Sequence, residues 1–542
     1  MQLSTFDLAI IALYALALFG IAIFVSRERG GKTKDTEDYF LASKALPWWA
    51  IGASLIAANI SAEQIIGQSG QGFAVGIAIA AYEWQAAIVL LIVAKYFLPI
   101  FLKRGIHTMP QFLDQRFGSG VKSMMSVYWI ALYTAVNLTT VLWLGGLALT
   151  SITGLGVFPA MAALALFAVL YSLYGGLKAV ALTDIIQVIV LLLGGCAITW
   201  IALDLVSGGN GAMAGFGRVY QEVPGHFKML LSADHPAYSD LPGIWTLLGG
   251  LWVLHFSYWG FNQYIIQRAL AAESLQEAQK GLAFAAFLKL FIPLIVVIPG
   301  IATIILAQQG MLDQAVLDPS ICAVANDPST CGKPDRAYGE LMALAPSGLR
   351  GLVFAALIAA IVSSLASMMN SISTIFTLDL YKSARPNRSE GHYVTVGRVT
   401  AFVAMIIALL LARPFIGGFE SGFQAVQEYT GFIAPGVVAI FLLGFFWSRA
   451  NTAGAYGVLI SSLVMNVALK LLADDIPFVI RIWAVFIVCL IIGVAISEMT
   501  RKAETSGDRH LKLSELSFGT STFFNLASVL ITLIFVGIYI VF

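Results

Sequence analysis

Apolar residues run through this chain in long blocks separated by short polar stretches, and the blocks are about the length a helix needs to cross a hydrocarbon layer roughly 30 Å thick. About fourteen spans are predicted, at 6–25, 47–72, 73–102, 121–150, 157–175, 181–205, 244–268, 281–308, 349–381, 393–412, 423–448, 452–472, 478–499 and 518–541. The first has no basic stretch before it and no small-residue cleavage site after it, so it reads as a retained helix rather than a removed leader. The fold class expected is all-α, polytopic and membrane-embedded.

Two spans break the apolar pattern. The second contains "SLIAANISAEQIIGQSGQGF" (54–73), which places Asn59, Ser61, Glu63, Gln64 and Gln68 close together, and the seventh contains "HFSYWGFNQ" (255–263). Backbone that leaves helical geometry is tolerated at membrane depth only where protein or a cavity surrounds it. Five crossings separate the two breaks, so they enter the bilayer in opposite directions, the arrangement of an inverted-repeat secondary transporter. The chain then divides into 1–46 (a first extra helix and cytoplasmic linker), 47–205 (first five-helix repeat), 206–243 (external loop), 244–448 (second repeat, with external loop 309–348) and 449–542 (three C-terminal helices).

Charge sets the orientation. Arg27, Arg29, Lys32, Lys34, Lys44, Lys103, Arg104, Lys178, Arg268, Lys280, Lys382, Arg385, Arg388, Arg449, Arg501, Lys502, Arg509 and Lys512 fall on one side of the alternating topology. That side is cytoplasmic by the positive-inside rule, which leaves both termini external. Composition agrees: of 542 residues 59% are hydrophobic and 11% charged, with mean hydropathy +0.86. The balance of 31 basic and 30 acidic residues offers no basic face for nucleic acid. Cys196 and Cys489 fall inside spans and read as packed thiols; Cys322 and Cys331 share an external loop, where a disulfide and two free thiols both remain open.

Ionisable groups inside spans are costly and therefore mark function. Among them are Glu63, Glu83, Asp184, His255 and Lys289. Glu83 and Lys289 have opposite signs and are expected to meet, either as a structural pair or as a pair that also holds polar substrate atoms. Asn59, Gln64, Gln68 and Gln427 add amides, which match the adjacent hydroxyls of a neutral polyol; Tyr258 and Trp259 offer faces for a sugar ring. Ser363, Ser364 and Ser367 in "AAIVSSLASMMNS" form a hydroxyl stripe, read either as helix packing or as oxygen ligands for sodium together with carbonyls freed at the break. Asp184 reads as a carboxylate steering that ion or as a helix cap. No HExxH, phosphate loop or nucleophile elbow occurs, so no enzyme activity is expected.

The stretches "ASLIAANISAEQ", "YEW" (82–84), "YSLYGGLKAV", "TDIIQV", "YWGFNQYIIQR", "AAFLKL", "AAIVSSLASMMNS" and "QEYTGF" resemble the bacterial sodium/galactose (sodium/glucose) cotransporter branch of the solute:sodium symporters, from about residue 5 to 540. The resemblance implies a five-plus-five inverted-repeat (LeuT-like) core of fourteen helices in a bacterial inner membrane, and sodium-coupled sugar uptake by alternating access. It implies a sodium site at the backbone oxygens of Ala57, Ile60 and Ala360 and the hydroxyls of Ser363 and Ser364, with Asp184 on the release path. It puts sugar contacts at Gln64, Glu83, Lys289 and Gln427, with Asn59, Gln68, Tyr82 and His255 around them and Tyr258, Trp259 and Phe423 as gates. Three positions depart from the galactose pattern: Gln68 stands where that branch has methionine, Ala86 where it has serine, and His255 where it has asparagine. Sugar identity is therefore open, and symport of an inositol, a sialic acid or an amino acid, or sensing without transport, are the rival readings. Oligomeric state is not legible, whether monomer or homodimer.

Overall fold

The computed structural model describes residues 3–26, 46–106, 108–321, 332–416, 421–500 and 516–542. Cys322 and Cys331, and with them the possible disulfide, lie outside these residues. Among the described residues the chain is helical, with no strand beyond one isolated bridge between Leu46 and Ala272. Nine helices among the described residues are long and apolar enough to cross a membrane, or up to eleven when each of two bent pairs counts as one span. The other three expected spans fall on the helix Thr5–Ser26, on the start of the helix Val157–Val206, and on the chain of short helices from Ile244 to Leu270.

Burial sorts these helices. The apolar windows of Leu349–Ala384 and Ser119–Thr150 are 89% and 83% buried, whereas that of Thr522–Val541 is 11% buried. The outer helices stay apolar without protein cover because lipid is their solvent. The central helices carry the polar residues around the break, where neighbouring helices satisfy them.

The second span breaks where its sequence turns polar. Trp48–Asn59 ends, residues 60–62 leave the helix, and Glu63–Ala74 continues at 60° to the first half. Its outer half begins as a π-helical turn, Glu63–Gly67. Gly67 lies so close to Phe423 that a Cβ there would sit 2.7 Å from the phenylalanine Cβ, so only glycine admits this packing. The seventh span is interrupted similarly: Gly250–His255 runs into a π-helical turn, Phe256–Gly260, and Gln263–Leu270 resumes after a break at Phe261–Asn262. Gly422–Gly431 and Ala434–Phe446 meet at 45°, which the apolar pattern of 423–448 does not foretell.

Three expectations need revision. Residues 157–175 and 181–205 are not separated by a turn: Val157–Val206 is one helix of 50 residues. At about 1.5 Å per residue its length of about 75 Å exceeds any single crossing, and it contains both apolar segments. Cys489 is buried as expected, but Cys196 is exposed, because its side of the helix faces away from the core. Arg268, taken from charge as a cytoplasmic flank, is fully buried and donates to the hydroxyls of Ser54 (2.7 Å) and Ser367 (2.9 Å).

Candidate functional site

A cavity of about 50 Å³ lies at the break, lined by Asn59, Glu63, Gln64, Tyr82, Asn137, Leu254, His255, Tyr258, Trp259, Lys289, Phe423, Val426, Gln427 and Thr430. Its polar wall is a chain of hydrogen bonds centred on Glu83. Lys289 Nζ donates to Glu83 Oε2 at 2.5 Å and also to Asn59 Oδ1, while Gln64 Nε2 (2.5 Å) and Gln68 Nε2 (2.8 Å) both donate to Glu83 Oε1. Asn59 Nδ2 in turn donates to the Tyr258 hydroxyl at 3.3 Å. The expected meeting of Glu83 and Lys289 is thus found, with both side chains buried. Such a pair is a weak stabiliser by itself, since desolvation of both ions offsets most of their attraction.

Local sequence explains the placement of each partner. Gly76, at φ +91°, turns the chain out of the broken helix, and Glu83 then falls in the first turn of Ala81–Ile92, where the helix dipole favours a carboxylate. Lys289 closes the helix Leu275–Lys289, and Pro293 starts the next one with no N–H to return to it. Trp84 Nε1 donates to the carbonyl of Leu290 at this kink, at 3.2 Å. In "YEW", then, Tyr82 lines the cavity, Glu83 holds Lys289, and Trp84 fixes the kink that presents it.

Aromatic rings enclose the space. Tyr82 stands edge-on to Phe423 at 5.0 Å and to His255 at 6.2 Å; Tyr258 and Trp259 are 5.1 Å apart; the Lys289 ammonium lies 4.8 Å from the centre of the Trp259 ring. Gln68 and Glu83 are not on the lining itself but one layer behind it. Sequence reading missed Asn137, Leu254, Val426 and Thr430. Of these Asn137 carried a signal, a lone amide in the apolar run 121–150, and it sits in the π-helical turn Tyr133–Leu138.

The second constellation lies on the other side of the same break. Ala57, Ile60, Ala360, Ser363 and Ser364 are all buried, and the Ser364 hydroxyl donates to the carbonyl of Ala58 at 3.5 Å. The last carbonyls of Trp48–Asn59 have no helical N–H to accept, and this end of the helix carries partial negative charge. Neutral oxygens of this kind suit a hard monovalent cation. Asp184 lies on the helix Val157–Val206, but its side chain falls outside the described residues. Asp335 of the loop 309–348 accepts from Gly422 N (2.8 Å) and from Ser421 Oγ (3.4 Å), which ties that loop to the helix bearing Phe423 and Gln427. Burial pushes its carboxyl up to about 7.

A family model described as the sodium:solute symporter family matches residues 39–461. A sodium/glucose cotransporter of Vibrio parahaemolyticus is 47% identical over 541 residues, covering 100% of this chain and 98% of that one. A sodium/myo-inositol cotransporter 2 of Oryctolagus cuniculus is 33% identical over 475 residues, covering 85% of this chain and 69% of that one. Among solved structures, a sodium-coupled sialic acid symporter in a substrate-bound outward-open state superposes with a TM-score of 0.76 over 92% of this chain and 99% of the other, at 21% identity, a likeness of fold.

Proposed function

The chain belongs to the sodium:solute symporter family, and from that premise we propose that it couples inward movement of sodium to uptake of a neutral hexose of the galactose or glucose kind. The observation that carries the reading is the Glu83–Lys289 pair set among amides and ringed by aromatics. Amides and carboxylates meet the vicinal hydroxyls of a sugar, and ring faces cover its C–H surface. Lys289 is matched by Glu83, and no arginine lines the cavity, so the site offers no spare cation to a carboxylate substrate. The 47% identity to a sodium/glucose cotransporter supports the same substrate class. The myo-inositol cotransporter relatives support a cyclic polyol as the second reading.

Within this proposal Gln64, Glu83, Lys289, Gln427, Asn59, His255, Gln68 and Tyr82 bind or position the sugar, and Tyr258, Trp259 and Phe423 gate it. Ala57, Ile60 and Ala360 through their carbonyls, and Ser363 and Ser364 through their hydroxyls, receive sodium, which leaves past Asp184. Segments 47–205 and 244–448 act as the two inverted repeats, in an inner membrane with both termini external. Sodium bound at the end of Trp48–Asn59 holds that half-helix against Leu349–Thr374. Asn59 and Gln64, two and seven residues beyond Ala57, are thereby set for the sugar. Because one segment serves both ligands, each raises the affinity of the other by the same factor. One charge moving down 100 mV supplies about 2.3 kcal/mol, and a tenfold sodium gradient about 1.4 kcal/mol. Together they sustain a sugar gradient of several hundredfold. Uptake of labelled galactose, glucose and myo-inositol into proteoliposomes tests the reading: accumulation requires inward sodium and collapses when potassium replaces it. Sodium-independent accumulation overturns the coupling.

A further inference from the structure

The polar atoms around the cavity fall into two groups. Those of the Glu83 cluster spend their hydrogen bonds on one another: Lys289 on Glu83 and Asn59, Gln64 on Glu83, Asn59 on Tyr258. Glu63 and Asn137 differ. Both line the cavity and both are more than nine-tenths buried, at 7% and 4% exposure, yet Glu63 Oε1 and Asn137 Oδ1 have no hydrogen-bond partner in the protein. A buried acceptor left without a donor costs about 1–3 kcal/mol, more when it is charged, so a ligand able to donate is strongly favoured there. Each residue sits on a π-helical turn, Glu63–Gly67 and Tyr133–Leu138, and the wider turn redirects its side chain from the helical rows on either side.

We propose that Glu63 and Asn137 form a second polar pole of the cavity, which accepts hydrogen bonds from substrate hydroxyls and so determines which hydroxyls a substrate must carry. The assignment rests on the reading of the cavity as a sugar site and adds to it a second place of recognition: the groups of the first pole are engaged with one another, whereas the second holds the open oxygens Glu63 Oε1 and Asn137 Oδ1. Tyr82 Oη and His255 Nε2, also on the lining and also without partners, can serve a ligand as donor or acceptor. A hydroxyl replaced by hydrogen or fluorine removes the donor, and sites built around buried polar groups reject such analogues strongly.

The test uses the full chain in proteoliposomes, with the complete set of monodeoxy and monofluoro galactoses and glucoses competing against labelled parent sugar. The wild type should reject both the deoxy and the fluoro derivative at one or two ring positions by tenfold or more. Glu63→Leu should raise the parent sugar KM on the order of tenfold and erase the discrimination at that position alone, and Asn137→Leu should do so at its own position. Glu63→Gln, which keeps a carbonyl acceptor, should restore most of it and stands in if the leucine variant does not reach the membrane. A discrimination profile that keeps its shape in Glu63→Leu and Asn137→Leu, whether KM is unchanged or rises uniformly for all analogues, overturns the proposal. Failure of the wild type to accumulate any hexose would instead remove the reading beneath it.

Discussion

The two faces of the break at residues 60–62 are built from different material. Toward the cavity the chain presents side chains: Asn59, Gln64, Glu83 and Lys289 are held to one another by charge-assisted hydrogen bonds. Toward Leu349–Thr374 it presents backbone, the carbonyls at the end of Trp48–Asn59 facing the hydroxyl of Ser364. A sugar has many hydroxyls in a fixed stereochemistry, and only side chains of chosen identity can read them. A monovalent cation has no shape to read, so a few neutral oxygens at the negative end of a helix suffice. One face should therefore be sensitive to substitution in what it recognises, and the other mainly in how much sodium it needs.

The largest effect should come from the pair that anchors the first face. Lys289→Ala leaves the Glu83 carboxylate buried without its cation, a loss on the order of 3–5 kcal/mol. Uptake should fall to background, and the melting temperature in detergent should drop by several degrees. Adding Glu83→Gln should recover much of the stability and none of the uptake; if the double variant transports, the pair is structural only. Gln64→Ala, a milder cut on the same face, should raise the sugar KM about tenfold while the thermal shift produced by sodium persists. Loss of that shift would show that the two faces are not separable.

On the other face, Ser364→Ala should raise the sodium concentration for half-activation about fivefold, equivalent to one hydrogen bond of about 1 kcal/mol. At saturating sodium the sugar KM should return to within twofold of wild type. A sugar KM that stays high at all sodium concentrations would erase the distinction drawn between the faces. The smallest effect on uptake is expected at Asp335, which ties the loop 309–348 to the helix bearing Phe423 and Gln427. Asp335 has its carboxyl raised by burial to about 7, so between about pH 4 and pH 7 the folded chain keeps a proton that the unfolded chain has lost. Its contribution to stability is full at the acid end of that window and is lost as pH rises through it. Asp335→Asn should flatten that part of the wild-type slope of melting temperature against pH, and an unchanged slope would place the titration elsewhere.

Much of the site was legible because membrane burial makes polarity conspicuous. Asn59, Gln64, Gln68, Glu83, His255 and Lys289 stand out in apolar runs, and the structure brings all six around one break. Asn137 was overlooked because a single amide in an apolar helix is equally well explained by helix packing. Arg268 was read only as a basic residue near the end of a span, and nothing local reveals that Ser54 and Ser367 enclose it.

Taken by itself, the order of residues determined that this is a membrane-spanning chain, where most of its helices lie, two of the spans that break, and which side chains are too polar for lipid. Those properties depend on side-chain identity and helical rise alone, which are local. Tertiary structure decided which polar atoms satisfy one another and which remain open, because that depends on distances between helices far apart in sequence. It put Gln68 behind the cavity wall, joined Trp84 to the kink after Lys289, and left Glu63 and Asn137 facing the space between. The helix break and the serine stripe already pointed to freed carbonyls as cation ligands, but only the packing of Leu349–Thr374 against the end of Trp48–Asn59 brought the Ser364 hydroxyl to the carbonyl of Ala58.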